Sequence, residues 1–213
     1  MDFTKEIDLS LFSGSLSESK NEGQSIRRQN RLVIVRRDRT IYTEIKMIRQ
    51  INKNELPLCL DFIHLCFSTV AEKFGFTKEN APGHNAFMPL EKLENFWNWG
   101  FLMYGLFEQN QKGDKELVGY FSISKDPEKE ETWILHNLCV NPQMRKQGYG
   151  KQLLDFAKEK VRELGGKILF LDFINDYTEL KEWYFKNGFE FKGTVKYEHL
   201  PFTVGFAECY VGE

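Results

Sequence analysis

The chain lacks long apolar runs, paired cysteines and a dominant charge, and each lack removes a class of function. None of its apolar stretches approaches the roughly 18 to 20 residues that span a bilayer, so a membrane partner is not expected. The first residues, Met1-Asp2-Phe3-Thr4-Lys5, do not have the basic-then-apolar layout of a secretory signal. The four cysteines, Cys59, Cys66, Cys139 and Cys209, form no C-x-x-C pair and show no metal-type spacing with the four histidines. Each sits in an apolar run, where a buried reduced thiol is the default. The expectation is a cytoplasmic protein that uses no metal. Twenty-nine Lys and Arg against 31 Asp and Glu leave a net charge of −2, so no global field draws the chain to nucleic acid. Aromatics, in contrast, are plentiful: 15% of the 213 residues, including 19 Phe, enough for a sizeable core.

The chain divides near residue 46. The first part, through Gln29, is rich in Ser, Glu, Asn and Gly and favours disorder. Then comes an apolar tetrad, Leu32-Val33-Ile34-Val35, flanked by arginines. Residues 1–46 are read as an N-terminal extension or an overextended start with Met47 as the natural one. An extra strand, an interaction arm or a nucleic-acid contact is the rival. Residues 47–213 form the domain. Met47–Ile51 reads as a strand. Asn54 offers a cap to a helix with Cys59, Phe62, Ile63, Cys66 and Val70 at helical spacing. A second helix is expected over Leu90–Trp97, then strands over Phe101–Phe107 and Leu117–Ile123 joined by the polar turn Gln109–Lys115, then a strand ending at Val140. Leu153, Ala157, Val161 and Leu164 line a helix that stops at Gly165-Gly166. The apolar run Ile168–Phe173 predicts a parallel strand buried on both faces. Asp176 with Glu179 predicts a capping box for a helix ending at Asn187-Gly188, and two strands close the chain.

Between the fourth strand and the third helix lies Val140-Asn141-Pro142-Gln143-Met144-Arg145-Lys146-Gln147-Gly148-Tyr149-Gly150. A glycine turn opening a helix crowds backbone N–H groups where the macrodipole favours an anion, typically a phosphate. A dinucleotide fingerprint fails because Leu153 stands where the third glycine belongs. A Walker A loop fails because Gln152 follows Gly150-Lys151. What remains is R-x-x-G-x-G with V-x-P upstream. This resembles the acetyl-CoA loop of the GNAT superfamily of N-acetyltransferases, V-x-P-x-x-[RQ]-x-x-G-x-[GA], and the similarity covers about residues 47–212.

The resemblance implies an α/β fold: a mostly antiparallel mixed sheet with one splayed parallel strand pair and four flanking helices. It implies acetyl-CoA as cosubstrate and a small-molecule or peptide amine as acceptor; a homodimer stays open. Arg145, Lys146, Gln147, Gly148, Tyr149 and Gly150 would cradle the pyrophosphate, and Lys151 would reach another phosphate. The backbone of Leu138, Cys139 and Val140 would bind the pantetheine arm and thioester, with an N–H there holding the oxyanion. Tyr184, in Trp183-Tyr184-Phe185-Lys186-Asn187-Gly188-Phe189, matches the family tyrosine that protonates the leaving thiolate. The family's N-x-x-A segment is replaced by Tyr177 and Leu180, with Asn175 upstream as the substitute contact to the cosubstrate. His136 stands on the strand where some members carry a proton-removing histidine; Ile134 occupies the place of the glutamate that others use. The first two helices and the closing hairpin, about 59–99 and 196–206, would set the acceptor. The rival function is a regulatory module that binds acyl-CoA without turning it over.

Overall fold

The computed structural model describes residues 47–109 and 114–212. The expectations for the extension 1–46, its arginine-flanked tetrad and the middle of the 109–115 turn lie outside the described residues. One seven-stranded sheet organises the domain. Its strands are β1 (Met47–Gln50), β2 (Leu102–Gln109), β3 (Lys115–Lys125), β4 (Thr132–Val140), β5 (Ile168–Ile174), β6 (Glu190–Lys196) and β7 (Thr203–Tyr210), in the order β1-β2-β3-β4-β5-β7-β6. Only β4 and β5 run parallel; every other neighbouring pair is antiparallel. The helices are α1 (Leu56–Phe74), α2 (Leu90–Asn98), α3 (Tyr149–Glu163) and α4 (Thr178–Lys186). This is the mixed sheet with one parallel pair and four helices that the sequence implied.

Period-two alternation gives the sheet two apolar faces, and helices cover both. On one face α1 and α2 bury Cys59, Phe62, Ile63, Cys66 and Leu93 against Met103, Tyr120 and Cys139. On the other, α3 buries Leu153, Leu154, Ala157 and Val161 against Phe121, Leu135, Leu169 and Leu171. Each large side chain fully withdrawn from water contributes about 1.5–3 kcal/mol, so these two layers dominate stability. All four cysteines are buried free thiols.

Four local expectations are corrected. Asn54 does not cap α1: it lies inside a 3-10 turn, Lys53–Glu55, that precedes the helix. Pro57 fixes the helix start, and the Glu55 carboxylate instead accepts from the Asn52 N–H and side-chain amide while pairing with Arg49 at 2.6 Å. Leu164 is 46% exposed because α3 ends one residue earlier, and Leu154 takes its place in the core. There Gly165, at φ +77, turns the chain so that its N–H donates to Arg162 O and that of Gly166 to Val161 O, which closes the helix. The Asp176–Glu179 capping box does not form: Tyr177 occupies the cap position without a side-chain bond, and Glu179 reaches across to Lys73 at 2.9 Å. Finally, β5 is buried on one face only. Leu169, Leu171 and Phe173 are in the core, while Asp172 is exposed.

That exposure follows from how β4 and β5 part. They pair at Thr132↔Ile168, Trp133↔Leu169 and Ile134↔Phe170 and no further. Beyond this β4 stays on β3 through Val140, and β5 stays on β7 through Ile174. A wedge therefore opens in mid-sheet with one unpaired edge on each side.

The closing turn of α3 provides a test of the packing. A Cβ on Gly166 would lie 2.4 Å from Trp133 Cδ1 and 2.6 Å from Val161 Cγ1, so the β4 indole or the end of α3 has to move. Gly166→Ala is expected to lower stability by about 1–3 kcal/mol, read as a lower denaturant midpoint at unchanged slope.

Candidate active site

The wedge is shaped by a bulge. Register runs Tyr120↔Cys139 and then Ser122↔His136, so Asn137 and Leu138 together face Phe121 alone. Asn137 adopts φ 54, a left-handed value rare for a side-chain-bearing residue. Its buried Nδ2 has no hydrogen-bond partner among the described residues. The bulge preserves the facing of the strand on either side of it. Leu135, Leu138 and Val140 meet the α3 layer; Cys139 meets the α1 layer.

His136 lines the wedge on the α1–α2 side. One ring nitrogen, Nε2, lies 2.8 Å from Ser124 Oγ on β3. Its ring stacks on Phe101 at 4.9 Å, and Phe101 stacks on Phe96 of α2 at 4.6 Å. Burial among these rings, with the Lys92 ammonium nearby, pushes the imidazole down to about 4. It is therefore neutral at neutral pH, with a free pair to accept a proton, but a weaker base than an exposed histidine at about 6.5.

Tyr184 approaches from the other side. It is 6% exposed and packs on Phe173 and Phe189. Burial raises its phenol well above the usual value, and the neighbouring Asp172 carboxylate and Cys139 thiol add to the effect. The hydroxyl thus stays protonated, with one electrostatic neighbour on β5 and one on β4. Trp183 couples it to the glycine turn: its ring lies 5.1 Å from that of Tyr184, and a Cβ on Gly150 would meet Trp183 Cζ2 at 3.4 Å.

The turn itself lies at the end of β4. After a 3-10 turn at Pro142–Met144, held by Asn141 Oδ1 accepting from Gln143 N–H, the chain adopts left-handed φ at Lys146 (63) and Gly148 (89). Gly148 is the residue before α3, and the first helical bond is Gln152 N–H to Gly148 O at 3.1 Å. The amides of the first turn therefore have no helical carbonyl to meet and point out of the helix end. A Cβ at Gly148 would find only Gln152 Nε2, at 4.0 Å; the mouth is open and shaped by backbone.

The side chains of the turn do different work. Arg145 turns inward, its guanidinium donating to Val140 O at 3.3 Å, Thr69 Oγ1 at 2.9 Å and Cys66 O at 2.8 Å. It fastens the turn to α1, which leaves its backbone rather than its charge to face a ligand. Tyr149 is buried and donates to the Glu108 carboxylate. Gln147 is exposed, and Lys151, also exposed, pairs with Asp155 at 2.7 Å, a surface bond that competes little with a phosphate. Asn175 Oδ1 accepts from Lys181 Nζ at 2.9 Å.

Two residues at the wedge escaped the sequence reading. Asp172 is two positions past Phe170 on β5, as His136 is two past Ile134 on β4. In a parallel pair equivalent positions share a face, so the carboxylate and the imidazole flank the opening from opposite edges. Water reaches Asp172, yet the protein crowds it enough to raise its carboxyl, against the opposing pull of its own N–H and of Lys92. Lys92, half-buried on α2, places Nζ 5.8 Å from the Phe96 ring centroid, and burial lowers it while Asp172 raises it. A lone Asp inside Ile168–Phe173 was the available signal; Lys92 is masked by the charged helix around it.

Comparison with known proteins agrees with this geometry. The family model described as the acetyltransferase (GNAT) family matches residues 75–189, more than half of the 213-residue chain. An uncharacterized N-acetyltransferase in the pepI 3′ region of Lactobacillus delbrueckii subsp. lactis is 29% identical over 153 residues, covering 68% of this chain and 84% of that protein. The PaiA N-acetyltransferase of Thermoplasma acidophilum, solved in complex with coenzyme A, superposes with a TM-score of 0.62 at 18% identity, over 78% of this chain and 98% of its own. The ribosomal-protein-S18-alanine N-acetyltransferase of Escherichia coli superposes with a TM-score of 0.60 at 13% identity, over 79% of this chain and 95% of its own. The chain belongs to the GNAT family of acetyltransferases.

Proposed function

We propose that the protein transfers an acetyl group from acetyl-CoA to a primary amine by direct attack in a ternary complex. The observation that carries this is the parting of β4 and β5 after Ile134, next to a backbone-lined helix mouth at Gly148. A ligand with a phosphate at one end and a long amide-bearing arm fits both features. The phosphate meets the first-turn amides of α3, and the arm satisfies the unpaired edge at Leu138–Val140. That the Thermoplasma relative was solved with coenzyme A supports the assignment of the arm.

The chemistry follows from what surrounds the wedge. An alkylamine of pKa about 10.4 is only about one part in a thousand neutral near pH 7.4, so the acceptor must lose a proton before attack. His136, neutral and tied to Ser124, takes it directly or through water. The amine nitrogen bonds the thioester carbon, the oxyanion is held by a β4 backbone N–H, and collapse breaks the carbon–sulfur bond. The Tyr184 hydroxyl then protonates the departing thiolate. Its raised pKa keeps that proton in place until the sulfur charge develops.

Mass spectrometry with acetyl-CoA and an acceptor panel tests the activity. Gly148→Glu, at φ +89, combines backbone strain with a carboxylate in the anion mouth. It is expected to abolish acetyl-CoA binding by calorimetry, and unchanged affinity would sink the assignment. Tyr184→Phe is expected to lower kcat by about 100-fold or more, more than it changes KM; equal turnover would remove Tyr184 from the reaction. The pH profile checks His136. A base held near 4 is fully deprotonated above that value and is lost only as pH falls through it. From pH 8 to 5.5 the acceptor binds as its ammonium form and His136 stays neutral, so kcat/KM should hold level. A break near 6.5 in the wild type that vanishes in His136→Gln would show an ordinary, solvent-like imidazole instead.

A further inference from the structure

The proposed reaction leaves two charged groups at the wedge without a task. Neither Asp172 nor Lys92 forms a close ion pair among the described residues, and each acts on the other's protonation. Several other charged side chains have partners: Arg49 pairs with Glu55, Lys73 with Glu179, Lys151 with Asp155 and Lys192 with Glu208. Asp172 on β5 and Lys92 on α2 instead bring a carboxylate and an ammonium to one opening.

Their placement is fixed by three elements. Asp172 stands on the β5 edge at the position equivalent to His136 on β4, and so on the side of the sheet that α2 covers. Lys92 and Phe96 are four apart on α2 and therefore on one face of that helix. Phe96 in turn packs on Phe101 and on the His136 ring, the latter at 6.3 Å. Lys92 is also near enough to His136 and Asp172 to act on the protonation of both. Trp99, 45% exposed, extends the aromatic wall, its ring 5.9 Å from that of Phe96.

The ring wall, the anion and the cation together describe a ligand. A polyamine would bring a second positive charge toward Lys92. A simple alkylamine would draw the Asp172 carboxylate away from Lys92 and leave that half-buried ammonium without a counter-charge, which is costly. A molecule bearing both an amine and an acid group answers both residues at once.

Resting on the acetyl-transfer reading, we infer that the acceptor is a zwitterionic amino carboxylate, its amine seated between Asp172 and His136, its carboxylate beside Lys92, and its apolar part against Phe96, Phe101 and Trp99. Asp172 draws the protonated amine into the wedge and His136 accepts its proton before attack. Lys92 selects the acceptor and takes no part in bond making.

Matched acceptors separate this from the transfer itself. Thiol release from acetyl-CoA is measured with phenylalanine and phenethylamine, leucine and isoamylamine, 4-aminobutyrate and propylamine, and spermidine. The expected result is that at least one carboxylate-bearing member exceeds its decarboxylated twin by tenfold or more in kcat/KM. Lys92→Gln should erase that ratio, chiefly through KM for the carboxylate-bearing amine, and Lys92→Arg should keep it. Asp172→Asn should weaken both members of a pair. Preference for the decarboxylated twins or spermidine overturns this inference while leaving acetyl transfer intact. So does a Lys92→Gln effect that is equal on both twins or that appears as weaker acetyl-CoA binding. No thiol release with any amine, despite acetyl-CoA binding, overturns the acetyl-transfer reading and this inference with it.

Discussion

Three paired positions between β4 and β5 decide the rest of this molecule. Thr132, Trp133 and Ile134 meet Ile168, Leu169 and Phe170, and this short parallel ladder joins two antiparallel halves of the sheet. Were the ladder to continue, the sheet would be closed and the backbone groups of Leu138–Val140 spent on a neighbouring strand. Because it stops, each strand keeps an unsatisfied edge in the middle of the sheet, where desolvated amides and carbonyls need partners. The cost of that arrangement is tolerable only if both strands are anchored elsewhere. β5 is paired with β7 along its whole length, and β4 with β3 on both sides of its bulge. The helices finish the job: α3 spans the two strands by burying Leu153, Ala157 and Val161 against Leu135, Leu169 and Leu171.

The mouth at the end of β4 depends on a second anchor. A turn that must present bare amides cannot be stabilised by its own backbone bonds, so its rigidity has to come from side chains directed the other way. Arg145 supplies this through three donors into Val140, Thr69 and Cys66, and Tyr149 supplies it through Glu108. An arginine that looks from sequence like a phosphate ligand is thus committed to holding the loop against α1. The distinction is physical: a planar fork with several donors is as well suited to bridging carbonyls of two elements as to meeting a phosphate.

The fold was legible where periodicity and punctuation are strong. The spacing of Cys59, Phe62, Ile63 and Cys66, the stop at Gly165-Gly166 and the apolar run of β5 each placed an element correctly. The caps were not legible, because Asn54 and Asp176 have the right chemistry one or two residues from where the chain turns. Pro57 and Tyr177 decided those boundaries. The glycine turn was legible because its shape is set by the backbone, through Gly148 at φ +89. The bulge at Asn137 was not, since only pairing with β3 reveals the extra residue. Asp172 and Lys92 were missed for the same reason: their meaning lies in a juxtaposition of β5 and α2 that no local pattern encodes.

The register that opens the wedge also sorts its chemistry. Alternation sends Leu135, Leu169 and Leu171 into the α3 layer and turns His136 and Asp172 to the opposite side. One face of each strand therefore fixes the width of the gap, while the other lines it with ionisable groups. Burial then acts in opposite senses on the ionisable groups: it lowers the imidazole, raises the carboxyl and lowers the Lys92 ammonium. Each shift favours the neutral form, so the site resists charge until a ligand supplies its counterpart. In the proposed reaction that is the useful bias. A cationic amine is stabilised by Asp172 on entry, and a neutral one is what the wedge prefers once the amine is inside.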